Sequence, residues 1–361
     1  MTGDELYGIV ETYARFGDHH TGTSADWATA EWLSGELASI GATVSRESFE
    51  FDRYVVSAEL RAPMGAVIPS VPVFYSFVGS IETADVELVS IDERLEGRST
   101  GLEPYLDGAT APAVVLAIKG PTADPIQCNR VPVVRPDGPP AVIVAADRLD
   151  AAAGATLAFE ASTERSEAPN VVAELGQSTA PPVTITTPLS GWTPAAGERG
   201  TGLAVALALA ADLATEHQVR FVACSGHELD HVGLQRFLGA NDVTGQAVIH
   251  LGASVGAVEW NDGRAELGRQ RLTLTTATGD VGERIGRRVA DANWTLADRE
   301  PWGGEGANWR AAGGRVLSFL GGSSLFHTAG DVAAAATTPR AMATACEVAI
   351  DATRMFLASS E

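Results

Sequence analysis

The sequence predicts an α/β fold: a mixed, mostly parallel sheet with helices on both faces, interrupted by an inserted β-rich segment. Three observations carry this. From Asn170 onward, short apolar runs alternate with helical stretches, as in sheets whose strands are joined by crossover helices. Runs such as VRFVACSG are apolar almost throughout, which fits strands buried on both faces. Between residues 55 and 168 the texture changes to short β-type runs separated by Pro/Gly-rich turns. The expected organisation is a discontinuous α/β domain of residues 1–54 and 169–361, with residues 55–168 as the insert.

Taken in order, residues 4–17 and 25–40 read as helices. In the second, Trp27, Ala30, Leu33, Leu37 and Ile40 recur at three- and four-residue spacing, Thr23 or Ser24 supplies a cap, and Gly41 stops it. ATVSRESFEF then alternates like a strand. In the insert, VPVFYSFVG, ADVELVSI, PAVVLAIKG and PAVIVAAD read as strands, and PTADPIQCNRVPVVRPDGPP as a long irregular loop. NVVAEL and PVTITTPL read as strands, and GERGTGLAVALALAADLATEH as a Gly-rich turn entering an apolar helix. After the strand VRFVACSG, HELDHVGLQRFLGAN reads as a helix, QAVIHLGASVG and RLTLTTATG as strands, and VGERIGRRVADANW as a helix. The strand RVLSFLGG and the helix AMATACEVAIDATRMFLAS close the chain. Ligands in such sheets sit beyond the carboxyl ends of the strands, so the loops after Thr187, Cys224, Leu251 and Leu320 are the places to search.

Composition narrows the function classes. The 361 residues carry 46 Asp+Glu against 25 Lys+Arg, a formal charge of −21, which argues against nucleic acid or an anionic membrane as partner. Hydrophobic residues at 45% with 20% charged residues fit a globular chain rather than a disordered one. Lys119 is the only lysine; a high-GC genome and a salt-rich cytoplasm both account for that. Cys128, Cys224 and Cys346 are odd in number and far apart, so no disulfide framework is implied. The N-terminus has no basic and apolar signal pattern, and the apolar stretch Leu203–Leu213 falls short of the ~20 residues of a spanning helix, so a cytoplasmic protein is expected.

His227-Glu228-Leu229-Asp230-His231 matches H-E-x-x-H, the pattern in which two His one helical turn apart hold zinc and the Glu serves as base. A strand and Ser225-Gly226 immediately precede it, placing it at a helix N-terminus instead of inside a helix, where a carboxylate also simply complements the helix dipole. Cys224 lies near His227 in sequence but closes an apolar strand, where a thiol acts as a small hydrophobe. His19 and His20 precede a helix and read as surface residues; Glu259 and Trp260 follow a strand end and are within reach of a pocket.

Several segments, in order, resemble the zinc exopeptidases of clan MH, which include bacterial leucyl aminopeptidases, glutamate carboxypeptidase and glutaminyl cyclase. HHTGTSADWATAEWLSGELASIGATVSRESF is similar to the family's opening helix, NVVAEL to its Asn-Val-Ile-Ala-x-Leu strand, and VRFVACSGHELDHVGLQRFL to its Ser-Gly-Glu-Glu segment. FHTAGD resembles its closing His-Thr-x-x-Asp, and residues 55–168 loosely resemble a protease-associated domain. The family's chemistry uses two zinc ions bridged by an Asp, with a Glu activating a water. Carried over, its first His and neighbouring Asp fall on about Thr187 and Leu189, its bridging Asp on Glu198, its catalytic Glu on His227, and a further Asp on about Gly252. Glu228 and His327 keep their types.

The resemblance therefore implies at most one zinc, on Glu198, Glu228 and His327, with His227 and Glu228 as catalytic residues and His227 as the base. Arg199, His231, Trp302, Glu305, Asn308 and Trp309 are the expected substrate contacts, the last four lying in the Gly-rich segment PWGGEGANWR. The expected activity is a hydrolase or acyl-transfer enzyme acting on an amide or small amino-acid-like substrate. Two alternatives stay open: a catalytically inactive homologue that acts as a binding or scaffold protein, and a metal-free lyase or isomerase with His227 as base. The expected partner is a small-molecule or peptide substrate, and a homodimer is compatible with the fold.

Overall fold

The computed structural model describes residues 1–91, 102–120, 122–127, 135, 137–176, 181–275, 280–297 and 302–358. Cys128 and most of the expected loop at 121–140 lie outside the described residues. Two helices open the chain, α1 (Gly3–Ala14) and α2 (Ser24–Ser39). Each starts on a threonine cap, and at α1 the exchange is reciprocal: Thr2 Oγ1 accepts from Glu5 N–H and the Glu5 carboxylate accepts from Thr2 N–H.

The next segment is a pair of very long strands and what they carry. Strand β1 (Thr43–Arg61) pairs antiparallel with β8 (Thr156–Leu175) from Thr43↔Glu174 to Arg61↔Thr156. Both strands run without a break through the expected boundaries at 54/55 and 168/169. Between them lie β2 (Val67–Ile68), β3 (Val71–Pro72), β4 (Gly79–Thr83), β5 (Val86–Ile91), α3 (Glu103–Asp107), β6 (Ala113–Ile118) and β7 (Ala141–Ala145). Strands β2 and β4 pair with the far ends of β1 and β8. Strands β5, β6 and β7 run parallel to one another, with β3 on the edge, as a separate four-stranded sheet.

The rest of the chain builds the main sheet: β9 (Val183–Pro188), α4 (Thr201–Leu213), β10 (Val219–Cys224), α5 (Val232–Ala240), β11 (Ala247–Leu251), β12 (Val258–Asn261), β13 (Arg264–Leu267), β14 (Gln270–Leu274), α6 (Asp280–Ala290), β15 (Thr295–Ala297), α7 (Gly306–Ala311), β16 (Arg315–Gly321), α8 (Ala333–Ala336) and α9 (Pro339–Leu357). Its order is β15-β14-β16-β11-β9-β10-β8-β1-β2. The central strands β16, β11, β9 and β10 are parallel, so Gly321, Leu251, Pro188 and Cys224 end at one edge of the sheet. Period-two alternation divides the core: Val171, Phe221, Ile249 and Leu317 face α1, α2, α4 and α9, whereas Val172, Val222, Val248 and Val316 face α5 and α7. Helix α4, buried around nearly its whole circumference, sits on the first face. No described helix is long and apolar enough to cross a membrane.

One expected element is shorter than the sequence implied. The helix read for residues 227–241 begins only at Val232, because residues 227–231 form a turn in which Asp230 (φ 55°) and His231 (φ 60°) are left-handed. The two His of H-E-x-x-H are thus not one helical turn apart. Buried polar groups hold this turn against the sheet. Asn170 Nδ2 donates to Gly233 O at 2.9 Å, and its Oδ1 accepts from Ser225 N–H at 3.2 Å. Gly233 is required by close approach: a Cβ there would meet Ser225 O at 2.2 Å. Asp26 accepts from Ser225 Oγ at 2.6 Å and from Gly22 N–H at 2.8 Å, tying α2 to the same turn.

Asn170→Leu leaves two buried backbone groups without partners and is expected to cost about 1–3 kcal/mol for each, read by urea denaturation. An unchanged midpoint contradicts this role. Burial, with Glu228 nearby, pushes Asp26 up to about 7. The unfolded side chain releases its proton near 3.9, so the folded state keeps the proton longer and the stability this contributes is lost as pH rises from about 4 to 7. Asp26→Asn is therefore expected to gain on the parent across that window in pH-dependent denaturation. A difference independent of pH would contradict the assignment.

Candidate functional site

The site grows from the ends of β9 and β10. After β9, the chain passes Ala195 in a left-handed conformation (φ 47°) and enters a π-helical turn, Ala196–Gly200, that leads into α4. This turn places Glu198 and Arg199 side by side, 0% and 1% exposed, below the carboxyl edge of the sheet. The turn after β10 brings in Glu228, and the loop after β16 brings in His327, itself left-handed at φ 62°.

These groups converge on the Arg199 guanidinium. Its Nη2 lies 2.8 Å from Glu198 Oε1 and 3.0 Å from Glu228 Oε1, and its Nε donates to Ser190 O at 3.0 Å. Ser190 Oγ donates to Glu228 Oε2 at 3.2 Å and accepts from Gly226 N–H at 2.9 Å. His327 Nε2 stands 3.3 Å from Glu198 Oε1. Beneath the turn, the Asp331 carboxylate accepts from Gly197 N–H at 2.7 Å and Glu198 N–H at 2.9 Å; burial, with Glu198 adjacent, pushes it up to about 7. Burial opposes the charge on Arg199, yet Glu198 and Glu228 hold its pKa above the ordinary arginine value.

The expected zinc does not fit these residues. Carboxylate and imidazole ligands bind zinc at about 2.0–2.2 Å with lone pairs directed at the ion. Here a fixed cation stands between the two carboxylates and takes an oxygen of each. Among the described residues, no group of three His, Cys, Asp or Glu side chains is placed to hold a metal ion. The positions where the family's other ligands fall are closed as well. Leu189 is fully buried in the main core, and a Cβ on Gly252 would meet His250 Cε1 at 2.8 Å and Leu320 Cδ2 at 2.4 Å.

A second cluster lies on the α5/α7 face. His227 Nδ1 is 3.0 Å from Glu305 Oε1, His231 Nδ1 is 2.8 Å from Asn308 Oδ1, and the two imidazoles pack at a 41° tilt with centroids 4.6 Å apart. Arg310 covers Trp302 at 5.1 Å. Trp309, expected to touch substrate, is fully buried against Phe237 in the core of this face. His250 joins the cluster from β11, its Nδ1 2.8 Å from Ser318 Oγ; burial first, then His231 and Arg199, lowers it to about 3, so this imidazole is neutral. Sequence reasoning passed over His250, although period-two alternation in QAVIHL already put it on the face of Val248.

A cavity of about 410 Å³ opens between the α/β body and the inserted strands. Glu228 and His327 line it; Arg199, His227, His231, Trp302, Glu305, Asn308 and Trp309 are not among its lining residues. Its other walls were not legible as a site: His20, Arg53, Tyr54, Phe74, Tyr75 and Trp192. His19 and His20, expected at the surface, are drawn inward instead. His19 stacks on Tyr13 at 4.0 Å and bonds Thr29 Oγ1 at 3.0 Å, and burial lowers it to about 3. His20 Nε2 lies 2.7 Å from Trp192 O. Glu259 and Trp260 turn elsewhere, to Ser324 and to Ala335 O.

No family model matches the chain, and no curated protein matches it by sequence. Solved structures do. A zinc aminopeptidase from Bacillus subtilis superposes with a TM-score of 0.73 at 14% identity, over 97% of this chain and 94% of that one. A peptidase M28 precursor from Shewanella amazonensis gives 0.73 at 18% identity, over 98% and 92%. A glutaminyl cyclase from Porphyromonas gingivalis gives 0.54 at 13% identity, over 98% of each chain. At these identities the likeness concerns the fold, and the chain has the fold of the zinc aminopeptidases.

Removing Arg199 would leave two buried carboxylates facing each other. Arg199→Met is expected to lose about 3–5 kcal/mol in urea denaturation. A loss below about 1 kcal/mol, ordinary for a surface change, would contradict the central role given to the guanidinium.

Proposed function

We propose that this chain is a ligand-binding protein that works without metal, built on the aminopeptidase fold and using the cavity between the α/β body and the insert for a small-molecule or peptide-like ligand. The observation that carries this reading is Arg199 between Glu198 and Glu228 at 2.8 and 3.0 Å. A hydrolase or acyl-transfer enzyme of the kind the resemblance implies needs a dication with an open coordination position, to polarise a carbonyl or lower the pKa of a bound water. A guanidinium has no coordination position and does not deprotonate in proteins. What it supplies is a permanent positive charge that fixes the two carboxylates, and with them the cavity wall at Glu228.

A second reading rests on a different observation. The contact of His227 Nδ1 with Glu305 at 3.0 Å is the arrangement that orients an imidazole as a proton-transfer base. It supports metal-free lyase or isomerase chemistry on the α5/α7 face, and predicts solvent-deuterium exchange into a bound substrate that His227→Gln abolishes.

The test of the first reading is metal content by mass spectrometry after dialysis against zinc, for the parent, Glu228→Ala and His327→Ala. The expected result is no stoichiometric zinc in any of the three. About one zinc per chain in the parent, absent from both variants, would replace this reading with the mononuclear hydrolase.

A further inference from the structure

The walls of the cavity identify a ligand chemistry, on the reading that this cavity is the ligand site. Four aromatic side chains line it from three distant stretches: Tyr54 on β1, Phe74 and Tyr75 between β3 and β4, and Trp192 after β9. They form one continuous wall, with ring centroids 4.6 Å apart for Phe74 and Trp192, 4.8 Å for Tyr54 and Tyr75, and 6.0 Å for Tyr54 and Phe74. Tyr54 directs its hydroxyl away into a 2.6 Å bond with Phe77 O. Tyr75 is held at φ 66°, a costly backbone state for a bulky residue, and His327 across the same cavity is held at φ 62°.

The charge on the lining is negative; its buried carboxylate, Glu228, is engaged, and its other, Asp18, is exposed to solvent. Glu228 and Asp18 both line the cavity, and Arg53 is the cation beside them. Arg53 is already paired with Glu164 at 2.9 Å and donates to Gly22 O at 3.1 Å. Glu228 carries Arg199 on one oxygen and Ser190 on the other. Burial, then Tyr54 and last Glu228 raise the Tyr75 hydroxyl, and burial lowers His20 against a smaller opposing contribution from Glu228.

A primary ammonium has three N–H donors, and burying it requires acceptors for them. This cavity offers ring faces and a negative field, while its buried carboxylate already holds Arg199 and Ser190 and Asp18 is exposed to solvent. A cation whose charge is spread over methyl groups needs no acceptor and gains from both, since ring faces attract it electrostatically and its methyls are apolar. We propose that the cavity binds a small methylated or quaternary ammonium compound, with its cationic head against Tyr54, Phe74, Tyr75 and Trp192 and facing Glu228.

The test is isothermal titration of the full chain with choline and with 3,3-dimethylbutan-1-ol, its uncharged isostere, at ionic strength matched with sodium chloride. Choline is expected to bind at least tenfold more tightly than the isostere. Phe74→Leu and Trp192→Leu should each weaken choline at least fivefold, whereas Trp192→Phe, which keeps a ring and reports on folding, should stay within about twofold of the parent. Equal binding of choline and the isostere overturns the cation proposal and leaves the cavity a ligand site. Binding of leucinamide or glycyl-leucine but not choline, lost in Phe74→Leu, does the same. If none of these probes binds, both this proposal and the reading of the cavity as the ligand site fall.

Discussion

The architecture of this site depends on one buried cation. Arg199 joins three pieces of chain that the fold brings to the carboxyl edge of the sheet: the π-helical turn through Glu198, the segment after β9 through Ser190 O, and the turn after β10 through Glu228. Two carboxylates buried this closely repel, and each alone would be expensive to desolvate. With the guanidinium between them, both are held in place, and Glu228 forms part of the cavity wall. The next layer follows the same logic, with Asp331 accepting the two backbone N–H groups that open the turn.

A side-chain cation and a metal dication are not equivalent tenants of such a place. A metal exchanges, accepts a water and withdraws charge from it; a guanidinium is covalently fixed and only donates hydrogen bonds. The surrounding packing agrees with the second kind of occupant. Leu189 belongs to the core, and His250, neutral and bonded to Ser318, fills the space beside Gly252. Further polar pairs, His227–Glu305 and His231–Asn308, lie beside His250 on the α5/α7 face. Glu228 and His327 are left as walls of a cavity otherwise lined largely by the insert and by aromatic rings.

Much of the fold was legible because it is written locally. Apolar runs and Gly-rich turns marked the central strands, and the strand ends at Pro188, Cys224, Leu251 and Gly321 lie within a residue of the loops singled out from the sequence. The turn at 227–231 was misread because helix-compatible residues are forced left-handed by tertiary bonds to Ser225 and Gly233, which no local pattern records. Glu198, Arg199, Glu228 and His327 were legible as neighbours, but the placement of the guanidinium between the carboxylates is a property of three dimensions. The aromatic wall was least legible of all: Tyr54, Phe74 and Trp192 come from separate parts of the chain, and each alone reads as ordinary core.

The most direct test of this account is a crystal structure grown with zinc and recorded on both sides of the zinc absorption edge. The account predicts guanidinium density between Glu198 and Glu228 and no anomalous peak there. A peak within about 2.2 Å of Glu228 and His327, with Arg199 swung out of the site, would contradict it.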